Sequence, residues 1–440
     1  MSKKSQTHDN KKKKPSETEQ IEKDSFSDKL QSVFIKFSSS RLSIPVFAVL
    51  CFAVICSVCY INGYKIFSSS FSVSGLFHCL YVGDFSIGVS SRLLIGSLIS
   101  LFTDTVTKQS IDITARIFLY ISFILQSVFT ALVVRRGIAE KNIFMLLLSV
   151  VFIVCPVTVC AYTLFFGVLD LFNYVIFIIS VIVIVKGKSS VQLLVPVLSV
   201  IGLLIHYSYF LAFFPAVFVL SLYRTVNSEG AKIKTEASSL GINSAVSVGG
   251  FFYLTLLAKN FLVMAPEQML EYVHSKTDST VMIYDNYLLY YLYDIFIGEQ
   301  MPDAVTSLSA LINKNTELRS VGNTVQYLLF IALIFVIFWV ISAVLVKREK
   351  GKGRLPFIAA CVMPLALVPE LILSSDSWRW IASTAFCMFY VLFSFWIMKV
   401  PSLTEALENI KKKLPLKASV IAVLCIYIVA CFIFEHRLFN

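Results

Sequence analysis

The residues best suited to chemistry form two short clusters and three isolated positions. The first cluster is Tyr81-Val-Gly-Asp84-Phe-Ser-Ile-Gly88-Val-Ser-Ser-Arg92, with a carboxylate and a guanidinium eight residues apart. A carboxylate can take the proton of a sugar hydroxyl, and an arginine fork can grip a phosphate through two hydrogen bonds. Gly83 and Gly88 let backbones approach closely around them. The plainer alternative is a salt bridge within the loop that orients the apolar run after it.

The second cluster is Ser374-Ser-Asp376-Ser-Trp378-Arg379-Trp380. Tryptophan is an ordinary anchor at a membrane–water boundary, and Asp376 suits a helix cap. Arg379 is less ordinary, because a cation in the first turn of a helix opposes the helix dipole. An anionic ligand or a carboxylate partner would relieve it. Arg116, Asp170 and His206 stand singly. Asp170 has the alternative reading of a helix cap, and His206 that of a turn histidine satisfied by its own backbone.

What these positions share depends on the elements that hold them. Of 440 residues, 57% are hydrophobic and 15% charged. Soluble domains run near ~45–50% apolar and ~25% charged, so a soluble, disordered or disulfide-stapled chain is excluded. The apolar residues lie in long continuous blocks, near 44–62, 113–134, 142–162, 168–185, 191–206, 208–223, 242–262, 321–346, 355–373, 378–398 and 418–434. Backbone in a bilayer must satisfy its own hydrogen bonds, so such blocks are helices or closed-barrel strands. Unbroken runs such as Ile176–Val185 lack the alternation of barrel strands. The expected fold is an all-α polytopic transmembrane bundle of about eleven spans.

Orientation follows from the basic residues. With the N-terminus inside, the inner segments carry 28 of the 38 Lys and Arg and 12 of the 27 Asp and Glu. That leaves +16 inside and −5 outside, and the C-terminus outside. The basic balance therefore reflects membrane topology, with no nucleic-acid partner required. On this topology Asp84, Arg92, Arg116, Asp170, His206, Asp376 and Arg379 all fall at the outer boundary. No Asp, Glu, Lys, Arg or His falls near the middle of a span.

The expected organisation is a disordered basic tail at 1–25, an amphipathic juxtamembrane helix at 26–43 and a transmembrane domain at 44–434. Long outer loops span 63–112 and 263–320, and an outer tail covers 435–440. The first span reads as an uncleaved signal-anchor in a cell (plasma) membrane. The run Leu93–Phe102 is too short to cross and is expected to be interfacial or re-entrant. The tyrosines between Tyr284 and Tyr293 suggest a helix on the outer surface. Three prolines, Pro356, Pro364 and Pro369, imply a kinked ninth span. The ten cysteines read as small packing residues.

One acid in the first outer loop, interfacial arginines and ten or more spans resemble the C-type membrane glycosyltransferases, and the chain is similar to polymerases of bacterial exopolysaccharide and O-antigen synthesis. The resemblance covers the topology and roughly one loop. Asp84 matches the loop acid that serves those families as base, although it lacks their paired acidic motif. The resemblance implies an outer-face enzyme using polyprenyl-phosphate-linked sugars. Asp84 would be the catalytic base, and Arg92 and Arg379 would hold the leaving phosphate. Arg116, Asp170, His206 and Asp376 would contact substrate. Its metal ligands are unknown; a divalent Mg or Mn ion would bridge acid and phosphate. The alternatives are a transporter or flippase of lipid or glycan, a membrane acyltransferase with His206 as base, and a non-catalytic scaffold.

Overall fold

The computed structural model describes residues 32–155, 158, 161–164, 166–293, 321–373 and 377–438. The basic tail, Asp376, the start of the juxtamembrane segment and residues 294–320 lie outside the described residues; within that juxtamembrane segment, 32–39 is helical.

All regular elements described are helical. The bundle comprises α1 (Ser43–Ile61), α2 (Lys108–Ala139), α3 (Ile143–Val154), α4 (Asp170–Lys186), α5 (Leu194–Ile205), α6 (Phe214–Val226) and α7 (Ala231–Phe252). After a loop helix, α8 (Pro266–Ser275), come α9 (Val321–Arg348), α10 (Leu355–Val362), α11 (Leu367–Leu373), α12 (Ser377–Ile397), α13 (Pro401–Lys412) and α14 (Leu414–Leu438). Every apolar block of the sequence coincides with at least one of these helices.

Six stretches are long and apolar enough to cross a membrane: Ser43–Ile61, Lys108–Ala139, Ala231–Leu257, Ile331–Arg348, Gly351–Ile372 and Arg379–Ile397. The bent pair Pro401–Lys412 and Lys417–Cys431, which meet at 99°, would make a seventh. The chain is a multi-pass membrane protein. Helices α3 and α5 have 12 residues each and α6 has 13. At 1.5 Å per residue those are about 18–20 Å long, less than the ~30 Å hydrocarbon core. The apolar chain between them is partly unwound at Val168–Leu169 and His206–Ser208.

Local chemistry explains where the helices begin and break. Thr107 and Ser110 cap α2 reciprocally, and Asn142 Oδ1 accepts the Met145 N–H at 3.1 Å to start α3. The 3-10 turn Met363–Ala366, which contains Pro364, separates α10 from α11. Helix α12 is central, packing against α2, α4, α6, α9 and α11. Its Phe386 ring meets Tyr174 at 4.8 Å, Tyr390 at 4.6 Å and Tyr162 at 5.6 Å between centroids.

The bundle has two unlike ends. At the basic end, Arg136 pairs with Glu140 and lies over Trp396, and Arg224 pairs with buried Glu236. At the loop end, the two long loops join. Val263 N–H bonds to Ile87 O at 2.9 Å, and Val106 N–H to Lys276 O at 2.7 Å. Gly88 has φ +142°, and a Cβ there would sit 2.8 Å from Phe261 O, so only glycine fits this junction. A Cβ on Gly96, in the short helix Leu94–Ser100, would collide with Gly83 O.

Candidate functional site

At the loop end, the start of α4, the turn after α5 and the start of α12 bring buried polar side chains together. Arg379 Nε lies 3.0 Å from Asp170 Oδ2, so the cation in the first turn of α12 has a carboxylate partner. Its guanidinium also sits 4.7 Å from the Trp380 ring centroid. Asp170 is the first residue of α4, where the helix dipole favours an anion. Its Oδ1 accepts from Ser208 Oγ at 3.3 Å. Below this pair, Tyr174 OH and Ser383 Oγ share a hydrogen bond of 3.1 Å.

His206 sits in the same cluster, buried at the C-cap of α5. Its Nδ1 accepts the Ser208 N–H at 3.1 Å, and its carbonyl accepts from Asn173 Nδ2 at 3.3 Å. The neutral ring therefore carries its proton on Nε2. Arg92 and Arg379 both act on His206 electrostatically. Arg92 comes from the first long loop; its N–H bonds to Leu204 O at 3.0 Å. Its Nη2 donates to Tyr207 OH at 3.3 Å, and its guanidinium lies 5.1 Å from the Tyr207 ring centroid. Arg92 has φ +73°, a left-handed backbone that non-glycine residues adopt at a cost and that tends to mark functional sites.

Glu370, on α11, completes the cluster. It is 6% exposed, and its Oε1 has no hydrogen-bond partner among the described residues. Arg379 and Asp170 both act on it electrostatically.

Asp84 belongs to a second centre. Its carboxylate accepts from Lys276 Nζ at 2.9 Å, Ser86 N–H at 2.8 Å and Ser100 Oγ at 3.1 Å. Tyr272 OH lies 2.9 and 3.0 Å from its two oxygens. Burial pushes this carboxyl up, but the bonds from Lys276, Ser86 and Tyr272 outweigh burial and hold it below the usual aspartate value. Tyr272 first, and Asp84 with it, hold Lys276 above the usual lysine value. The ion pair of Asp84 is thus with α8's neighbour Lys276 and ties the two long loops together.

Of the residues singled out from sequence, Arg92, Asp170, His206 and Arg379 come together. Asp84 stands with Lys276 and Tyr272. Arg116 donates to the carbonyls of Phe71 and Ser69 and pins the first loop to α2. Asp376 lies outside the described residues. Tyr272, Lys276 and Glu370 complete the two centres without having been singled out from sequence. Among the described residues no three His, Cys, Asp or Glu side chains come together as a metal ion requires. The described part of the cluster thus offers no such ligand set for the divalent ion suggested above. No protein-family model matches the chain, and no curated protein or solved structure matches it either.

Proposed function

We propose that this protein is an outer-face glycosyltransferase or glycan polymerase of a bacterial plasma membrane, acting on polyprenyl-phosphate-linked sugars. The reading includes eleven passes, with the N-terminus inside and the loop end outside. The observation that carries it is the cluster at the loop end, where Arg379 pairs with Asp170, Arg92 lies over Tyr207, and both arginines act electrostatically on the buried His206 between them in the chain. Two guanidiniums held by a carboxylate and by aromatic side chains are suited to a phosphate whose charge grows as a glycosidic bond breaks. The neutral His206 ring and Ser208 would orient sugar hydroxyls. In this proposal Asp84 keeps the loops joined and does not serve as the proton acceptor. A carboxylate held ionised by Lys276 and three hydroxyl or amide donors is a weak base.

The test is turnover of a polyprenyl-phosphate-linked sugar by the purified chain in lipid. Arg379→Lys keeps the charge but loses the planar fork, and is expected to raise KM for the lipid donor at least tenfold. Absence of product from wild-type protein with any such donor would reject the reading.

Transport is the second reading, and one observation favours it. Gln126 and Thr130, in the middle of α2, are fully buried, and their side-chain polar atoms have no partner among the described residues. Uncharged polar groups at that depth suit a route for a hydroxyl-rich cargo. Flux of labelled lipid-linked sugar across proteoliposomes without bond cleavage would favour it.

A further inference from the structure

At the loop end, three carboxylates have partners. Asp84 is occupied by Lys276, Tyr272, Ser86 and Ser100. Asp170 faces Arg379 and Ser208, and Asp112 Oδ1 accepts the Val73 N–H at 2.6 Å. Glu370 is 6% exposed, and its Oε1 accepts no hydrogen bond from the described residues. Such a group is expensive unless its environment or its task accounts for it.

Its position is built into the chain. The 3-10 turn Met363–Ala366 interrupts the apolar segment, and Pro369 directly precedes Glu370. The resulting short helix α11 packs against α12 and against the turn helix Tyr209–Ala212. Glu370 is thereby carried to the Arg379–Asp170 pair, on the side of the bundle where His206 and Ser208 sit.

The charges in the cluster sharpen the point. Arg379 and Asp170 are the charged groups that act on Glu370. A phosphate engaging Arg379 adds negative charge beside Glu370, and that excess is removed if the carboxylate takes a proton. The reaction proposed above releases one proton, from the attacking hydroxyl.

We propose that Glu370 is the proton acceptor of this site, taking the proton of the acceptor hydroxyl as Arg379 and Arg92 hold the departing phosphate. The inference rests on the glycosyl-transfer reading and adds the residue that reading lacks. The hydroxyl proton passes to Glu370 Oε1, and the hydroxyl oxygen forms a bond to the anomeric carbon. The bond from that carbon to the phosphate oxygen breaks, and its electron pair leaves on the lipid phosphate. The proton on Glu370 then returns to water.

The experiment uses the full chain in liposomes with a polyprenyl-phosphate-linked sugar. Glu370→Gln keeps shape and polarity, so KM for the donor should stay within about threefold. The kcat should fall by about 10²–10⁴, the range for a positioned proton-transfer group. Glu370→Asp should restore part of the rate, and the acid limb of the kcat profile should vanish in Glu370→Gln. Turnover at the wild-type rate per monodisperse Glu370→Gln molecule overturns this inference while leaving the glycosyl-transfer reading intact. No turnover by wild type overturns that reading instead. A second measurement then decides on Glu370 itself: sugar-free polyprenyl phosphate is added to weakly buffered protein with a pH indicator. About one proton taken up by wild type and none by Glu370→Gln supports the assignment; equal uptake by both overturns it.

Discussion

Arg379 Nε in the first turn of α12 and Oδ2 of Asp170 at the first position of α4 lie 3.0 Å apart. The two helices start at the same end of the bundle, so their dipoles both favour an anion there. Asp170 gains from that field and Arg379 does not. The pair is what lets a cation sit at the head of a buried helix.

Asp170→Asn leaves Arg379 buried without its carboxylate. Breaking a buried pair from one side costs about 3–5 kcal/mol, so thermal unfolding in detergent should fall by several degrees. The double variant Asp170→Asn with Arg379→Gln should recover part of that loss. A double-mutant cycle showing additive effects would mean that the two side chains do not interact.

The Asp84–Lys276 pair should make the loop junction sensitive to pH at both extremes. The Asp84 value is lowered by folding, so its contribution is present above about 3.8 and is lost as pH falls through the lowered value. The Lys276 value is raised, so its contribution is present below about 10.5 and is lost as pH rises through the raised value. Between those limits, protease resistance of the second loop should be flat. Lys276→Met should weaken it by about 1.5–3 kcal/mol, the range for a hydrogen bond to a charged group. Asp84→Asn should reduce folded protein more than turnover per folded molecule.

Arg92→Asn tests strain against function. Asparagine tolerates left-handed backbone better than most residues, so stability should change by no more than about 1 kcal/mol. The guanidinium is lost, and KM for the lipid donor should rise about tenfold. Unchanged KM in the folded variant would remove Arg92 from phosphate binding.

Glycine substitutions separate close approach from open helix surface. Gly96→Ala drives a methyl into the Gly83 carbonyl and should cost about 3 kcal/mol or more, the scale of a severe overpacking. Gly241→Ala, on α7, meets nothing within 4 Å and should stabilise by up to about 1 kcal/mol through helix propensity. Melting temperatures of the two variants moving in the same direction would contradict the packing described.

The eleven-pass topology is checked by a cysteine introduced for Tyr287, which is 44% exposed in the second loop. In a cysteine-free background, a membrane-impermeant maleimide should label it in intact cells. Labelling only after permeabilisation would place the loop end inside.

Much of the architecture is written in hydropathy. Each apolar block became helix, the break between α10 and α11 falls at Pro364, and the close approach at Gly88 is real. The need of Arg379 for a carboxylate could also be anticipated, because a helix start sets the sign of the favoured charge. Its identity could not, because Asp170 lies far away in sequence and only the bundle brings it near. Lys276 is 192 residues from Asp84, and no spacing rule connects two loops. The shortness of α5 and α6 was hidden for another reason. The break at His206–Ser208 falls where the blocks 191–206 and 208–223 divide, but hydropathy does not mark the 3-10 stretch Ser189–Leu193 before α5 or the further break at Phe213 before α6.

Helix α12 is buried at every position from Trp380 to Trp396, which bears on how the protein is made. A strand of chain with no lipid-facing side gains little from being released alone into the bilayer. Its neighbours α2, α4, α6 and α9 are all synthesised before it. The late helix therefore enters a slot that earlier helices have already outlined, and it brings Arg379 to Asp170 and Arg136 to Trp396 as it seats. Until then the nascent bundle carries an open seam, and quality-control proteases that recognise unsealed membrane helices would find it there.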